Sequence, residues 1–205
     1  MVAYKLFYIS GMAIPVIYIL MYLLGGALRS DYSHIRHSVS ELLVPGAPNR
    51  PLLMTIQIIY AALHIIFGLG VLWFVMGIAD GQTLGQAGAW MIVALGLVTF
   101  GTVFFPQDAE GTPATIAGQT HKGLVFGGLI PLSVLSTLFI GLWCRLTGLL
   151  PGFAIYSFIT VGAVVVMGGI GGATVNTRFA GLVERIAALL TQQYLFVLGL
   201  VLLLQ

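Results

Sequence analysis

The sequence predicts an all-α integral membrane protein, a bundle of six transmembrane helices with its polar loops concentrated on one side. Three observations carry this. Charged residues make up only 7% of the 205 positions and hydrophobic residues 59%, whereas a soluble domain carries about 25% charged residues. Mean hydropathy is +1.07. The apolar residues fall in long unbroken runs, near the ~20 residues a helix needs to cross the hydrocarbon core, and they lack the dyad alternation of barrel strands. A chain this apolar cannot cover a soluble surface and is not disordered. With a net charge of +2 and no basic run, no nucleic-acid partner is expected. The single cysteine, Cys144, rules out an intramolecular disulfide framework.

Six runs qualify as spans: Leu6 to Leu28, Leu53 to Ile78, Gln86 to Phe105, Gly123 to Cys144, Gly152 to Gly172 and Ile186 to Leu204. The first follows Lys5 and is longer than the ~7–15 apolar residues of a signal sequence, so it is expected to be retained as a helix. So little chain lies outside the spans that residues 1–205 are expected to form a single domain. Odd and even loops lie on opposite sides of the membrane. The first loop (Arg29 to Pro51) and third loop (Gln107 to Lys122) are long, and the fifth (Ala173 to Arg185) is moderate. The second (Asp80 to Gly85) and fourth (Arg145 to Pro151) are short.

The charges are distributed as unequally as the loops. Of the 8 basic and 6 acidic residues, only Lys5, Asp80 and Arg145 lie off the odd side. His34, His37 and His121 join that side as well. Arg29, Arg36, Arg50, Lys122, Arg178 and Arg185 face only Lys5 and Arg145 across the membrane. By the positive-inside rule, the odd loops are expected in the cytoplasm and both termini outside.

In the first loop, at ~100° per residue, His34, His37, Ser38 and Glu41 share one arc of a helix over residues 34 to 43. Ile35, Val39, Leu42 and Leu43 share another. Such a segment suits the membrane interface. Ser38 with Glu41 fits the S-x-x-E capping box, and PGAPNRP, residues 45 to 51, is a rigid turn into the second span. Two chemistries fit the polar arc. His34, His37 and Glu41 could ligate a metal, with His121 a further candidate ligand, although the H-E-x-x-H spacing is absent. Alternatively Glu41 is a buried acid or base. A capped interfacial helix with solvated histidines needs neither.

In the third loop, TVFFPQDAEGTP places Asp108 just after the third span and His121 just before the fourth. A hydrogen-bonded Asp–His pair between them would orient the imidazole and raise its basicity. The fifth loop brings Glu184 and Arg185 to the head of the last span, and GGIGGAT before it permits close helix packing. His64 sits about eleven residues inside the second span. At that depth an ionisable side chain is a functional candidate, as a haem ligand or as a neutral imidazole bonded between helices.

Taken in order, RHSVSELLVPGAPNRPL, FFPQDAEGTP with HKG, and GLVERI give the chain a resemblance, over essentially its whole length, to the bacterial and archaeal membrane-protein family catalogued as domain of unknown function 998. The resemblance implies that Ser40, Pro106, Asp108, His121, Gly181 and Arg185 occupy that family's characteristic polar positions. Relatives often carry a second histidine four residues after the first. Here that place is Val125, which argues against a two-histidine metal site on the fourth span. More distantly, SVSELLVPGAP is similar to the polar motif after the first span in the Frag1, DRAM and Sfk1 group, which implies lipid and membrane-organising roles.

Two main functions, and a narrower third, remain open on the sequence. One is a membrane-embedded enzyme acting on a lipid or isoprenoid-like amphipathic substrate, by acid–base or metal-assisted chemistry. Its groups would be Glu41, Asp108 and His121, with Ser40 or Ser38 as nucleophile or hydrogen-bond donor. Arg36, Arg50, Arg178 and Arg185 would hold a phosphate or carboxylate, and His64 would be a further substrate-binding residue. The other is a non-catalytic lipid-binding, transport or membrane-organising protein, in which the same rim is a network that holds loops together. A small b-type haem protein using His64 or His121 is a third, narrower reading. The expected partners are membrane lipids and an amphipathic small molecule, in the cell membrane; the sequence assigns no oligomeric state and no definite cofactor.

Overall fold

The structure, a computed structural model, describes residues 3–78, 82–175 and 177–205. Asp80, expected in the second loop, and Asn176, expected in the fifth, lie outside the described residues. The helices are α1 (Ala3–Ala27), α2 (Arg50–Met76), α3 (Gln82–Phe104), α4 (Ile116–Lys122), α5 (Ile130–Thr147), α6 (Pro151–Thr174) and α7 (Ala180–Leu203). A π-helical segment, Gly123–Leu129, joins α4 to α5, so residues 116–147 form one continuous rod. Among the described residues, six helical stretches are long and apolar enough to cross a membrane, as the hydropathy pattern predicts.

Each long helix packs on its chain neighbours and α7 returns to α1, closing a ring in the order α1, α2, α3, α5, α6, α7. Buried aromatic and aliphatic side chains fill it, among them Phe67, Ile92, Ile140, Trp143, Tyr194 and Leu198. The α2–α3 contact is close because glycines face helix backbone. A Cβ on Gly68 would meet the Val93 backbone at 2.7 Å, and one on Gly96 would meet the Ala61 carbonyl at 2.7 Å. Such small-residue contacts bind helices where no hydrophobic gain separates lipid from protein. Gly148, with φ +66°, ends α5 in the left-handed conformation that favours glycine, and Pro151 restarts the chain as α6.

The π-helical segment has a cause in the sequence. Pro131 lacks an N–H, and its ring would strike the carbonyl four residues back in an α-helix. The backbone widens instead, and the N–H of Ile130 reaches the Val125 carbonyl, five residues back. Transmembrane helices tolerate proline through adjustments of this kind.

The GGIGGAT stretch does not pack closely as expected: none of its residues is buried, and a Cβ on Gly168, Gly169 or Gly172 would meet nothing within 4 Å. Three further expectations need correcting. The helix expected over residues 34 to 43 is only a 3₁₀ turn, Ser40–Leu43, preceded by turns. The reason is that loop one spends its carbonyls on α7. The α7 amides of Gly181 and Leu182 donate to the carbonyls of Arg36 and Ile35, and Arg185 takes those of His34 and His37. The first amides of a helix have no intrahelical acceptor, and these carbonyls serve as their caps. Secondly, Glu184 and Arg185, expected in loop five, lie within the first turns of α7. Thirdly, His121, expected in loop three, sits in α4.

Candidate functional site

The polar rim is assembled from loop one, loop three and the head of α7. Its centre is the 3₁₀ turn that carries Ser40. The capping box expected of Ser38 and Glu41 is formed: the Ser38 N–H donates to Glu41 Oε1 at 3.2 Å, and the Glu41 N–H donates to Ser38 Oγ at 3.2 Å. The Val39 N–H donates to Glu184 Oε1 at 3.1 Å. Val39 and Leu42 are buried beneath. Ser40 is therefore held by bonds on both sides while the residue itself is half-buried.

That hydroxyl meets His121. Ser40 Oγ lies 3.1 Å from His121 Nε2, and His121 Nδ1 lies 2.9 Å from the Phe105 carbonyl oxygen. A carbonyl only accepts, so Nδ1 carries the imidazole proton and Nε2 offers its lone pair to the serine O–H. His121 is 7% exposed. The tautomer and the ring plane are thus set by backbone, and a serine points its proton at the free nitrogen. This is the arrangement in which a histidine removes a serine proton during nucleophilic attack.

Asp108 does not orient that histidine. The expected Asp108–His121 hydrogen bond is replaced by a cap. Asp108 Oδ1 accepts from the Thr115 hydroxyl at 2.6 Å and Oδ2 from the Thr115 N–H at 3.1 Å. Thr115 Oγ1 in turn accepts from the Gly118 N–H at 3.0 Å, capping α4. These two bonds from Thr115 hold the Asp108 carboxyl below the usual carboxylate range. Gly118 has to lack a side chain, because a Cβ there would land on that carboxylate.

The arginines named from sequence do not converge on one pocket. Arg185, 5% exposed, donates from one terminal nitrogen to the carbonyls of His34, His37 and Gly181 at 2.7, 2.9 and 2.7 Å and from the other to the Tyr32 hydroxyl. It also lies over the Tyr22 and Tyr32 rings. Arg50 donates to the Leu43 carbonyl and locks the turn into α2. Arg36 pairs with Glu110 at 2.7 Å in the open, a tie between loops one and three worth about 0–1 kcal/mol. Arg178 is exposed over the Phe179 ring. Arg29, not singled out as a site residue, grips Asp31 with two nitrogens and the Glu41 carbonyl with a third, and this pairing keeps the Asp31 carboxyl low.

The candidate metal ligands separate in the same way. His37 and Glu41 come together with Glu110, their ligand atoms within 4.8 Å of one another; His34 and His121 lie elsewhere. His37 Nδ1 accepts the Ser33 N–H at 3.0 Å, so the neutral ring carries its proton on Nε2. Neither nitrogen then has a free lone pair for a metal. His34 packs edge-on against Tyr22 and Tyr32. Its burial, aided by the Arg185 charge, pushes its pKa below the ordinary imidazole value. Burial likewise pushes the Tyr32 hydroxyl up to about 12.

His64 is buried inside α2. Nδ1 donates to the Tyr60 carbonyl at 2.9 Å, and the Tyr60 ring packs edge-on at 4.6 Å. Gln192 reaches the Tyr60 hydroxyl from α7. Tightly packed among its neighbours, His64 is a bonded imidazole in the bundle core, remote in the chain from the Ser40–His121 pair. Sequence reasoning missed three participants: the Phe105 carbonyl, Gln107 and Glu110. Gln107 Oε1 accepts from the Ser38 hydroxyl at 3.4 Å. Only the motif FFPQDAEGTP, which contains all three, hinted at their importance.

Fold and rim together define a multi-pass membrane protein of six helical spans with one polar face. The chain belongs to the family described as "Protein of unknown function (DUF998)", whose model matches residues 12–201. No curated protein and no solved structure matches it.

Proposed function

We propose that the protein is a membrane-embedded serine hydrolase or acyltransferase, acting on an ester of an amphipathic lipid at the membrane interface. The observation that carries this reading is the Ser40 Oγ to His121 Nε2 contact of 3.1 Å, with Nδ1 bonded to the Phe105 carbonyl. Ser40 Oγ attacks the ester carbonyl as its proton passes to His121 Nε2. His121 then returns that proton to the departing alkoxide, leaving an acyl-serine. Water, or an acceptor alcohol, gives a proton to the same nitrogen, attacks the acyl-serine and restores Ser40. The Phe105 carbonyl steadies the imidazolium in place of a carboxylate. Gln107, whose Oε1 accepts from Ser38 at 3.4 Å, is our candidate for the N–H donor to the developing oxyanion. Lys122 and the five arginines gathered on the rim favour a cytoplasmic placement of this face in the cell membrane.

The test is labelling by a fluorophosphonate probe together with hydrolysis of a p-nitrophenyl ester by the purified protein. Labelling is expected at Ser40 and is lost in Ser40→Ala. It falls by about 10²-fold or more in His121→Gln, in line with loss of a general base. If a folded, vesicle-reconstituted protein takes no label at Ser40 and shows no turnover, the enzyme reading fails. The second reading, a lipid-binding or membrane-organising protein, then stands. It is favoured by the extent to which Arg50, Arg185 and Asp108 are spent on backbone and caps.

A further inference from the structure

The rim-side halves of α5 and α6 differ from the rest of the ring. No residue from 122 to 135 is buried, and none from 165 to 175 is buried. The opposite halves of the same helices are core: Ser136, Thr137, Ile140 and Trp143 on α5, and Phe153, Ala154 and Ser157 on α6, are all buried. At that end the two helices press together, since a Cβ on Gly141 would meet Ser157 Cβ at 2.7 Å. Toward the rim they part. A Cβ on Gly123, Gly127, Gly168, Gly169 or Gly172 would meet nothing within 4 Å. The other helices stay packed at the rim, with Met21, Leu53, Val103 and Val183 buried. The ring is thus open sideways in one leaflet, between the π-helical segment and the end of α6.

Two cations flank the rim end of this opening. Lys122 heads the π-helical segment beside His121, and Arg178 lies in the turn after α6. Both are exposed, and neither is in an ion pair among the described residues. We propose that this opening is a lateral doorway that binds an anionic phospholipid, with its acyl chains between α5 and α6 and its phosphate at Lys122 and Arg178. As the route of substrate to Ser40 it rests on the enzyme reading; as a lipid site it does not. The surfaces lie within helices long and apolar enough to cross a membrane, so lipid chains match them. A second copy docking through a twofold axis would bring the same unpaired cations toward each other, whereas an anionic headgroup neutralises them.

The experiment uses the full chain in vesicles that contain phosphatidylglycerol with a diazirine in its acyl chain, and parallel vesicles with the phosphatidylcholine analogue. Adducts mapped by mass spectrometry are expected on residues 123–135 and 165–175. Each of Lys122→Gln and Arg178→Gln is expected to cut the preference for the anionic lipid about fivefold. Gly127→Leu with Gly169→Leu should suppress the adducts at both stretches. The proposal is overturned if adducts concentrate in the outer groove between α1 and α7, around Pro15, Ile19 and Leu189, or if the two lipids label equally. It is also overturned if Gly169→Cys joins two copies by a disulfide while lipid adducts are absent. Fluorophosphonate labelling of Ser40 in the same vesicles separates the two ideas. Adducts without a reactive serine support the doorway and remove the enzyme; a reactive serine without adducts does the reverse.

Discussion

Individual residues at the head of α7 show how closely the rim is built. Gly181 begins the helix against loop one, and a Cβ there would fall on the His37 carbonyl. That carbonyl accepts from Arg185, so moving it loosens the buried guanidinium as well. Gly181→Ala is expected to cost about 1–3 kcal/mol through this overlap. Gly172→Ala, where a Cβ meets nothing, should be neutral or slightly stabilising. Thermal unfolding in detergent checks the pair, and equal midpoints would refute the account. Ser40, His121 and Arg185 were legible by residue type and motif order. Their bonds were not, because Ser40 and His121 meet across 81 positions of chain and Arg185 and His37 across 148. No local pattern encodes such a pairing.

Among the elements, α4 is the one on which the site depends. Its seven residues are the first turns of the continuous rod over residues 116–147, and it places His121. What starts it is the chain from Asp108 to Thr115 to the Gly118 amide. Thr115→Val removes the cap and the carboxylate's hydroxyl partner, and should destabilise by about 1 kcal/mol. Asp108→Asn should then behave like Thr115→Val in both unfolding midpoint and Ser40 labelling. If Asp108→Asn instead abolished labelling while Thr115→Val spared it, Asp108 would act in the chemistry and not through the helix. From sequence, Asp108 and His121 looked like partners because they flank one loop. The nearer hydroxyl and amide of Thr115 won the carboxylate, and the Phe105 carbonyl won the imidazole. The expected helix across residues 34 to 43 failed for a related reason: its carbonyls cap α7 better than they extend a helix of their own.

At the scale of the whole molecule, a ring of six helices carries its charge on one face and opens sideways in that leaflet. The orientation expected from Lys and Arg can be read with single cysteines, since Cys144 is buried. Ala114→Cys in loop three should resist a membrane-impermeant maleimide in intact cells and react after permeabilisation. Leu149→Cys, in the turn between α5 and α6, should react in both. The reverse pattern would place the polar face outside the cell.

What the amino-acid sequence determined unaided was the solvent: so few charges, in runs that long, leave only helices in lipid. It determined that the polar groups gather on one side, since every odd loop holds them. It also determined one local device, the Ser38–Glu41 capping box, because its two residues are three positions apart. The tertiary structure decided which polar groups meet. Donors and acceptors on the rim outnumber the pairings a sequence can rank, and the choice among them follows from where α7 docks on loop one and where α4 begins. That docking turned two candidate acids into a cap and a brace, and left Ser40 and His121 facing each other.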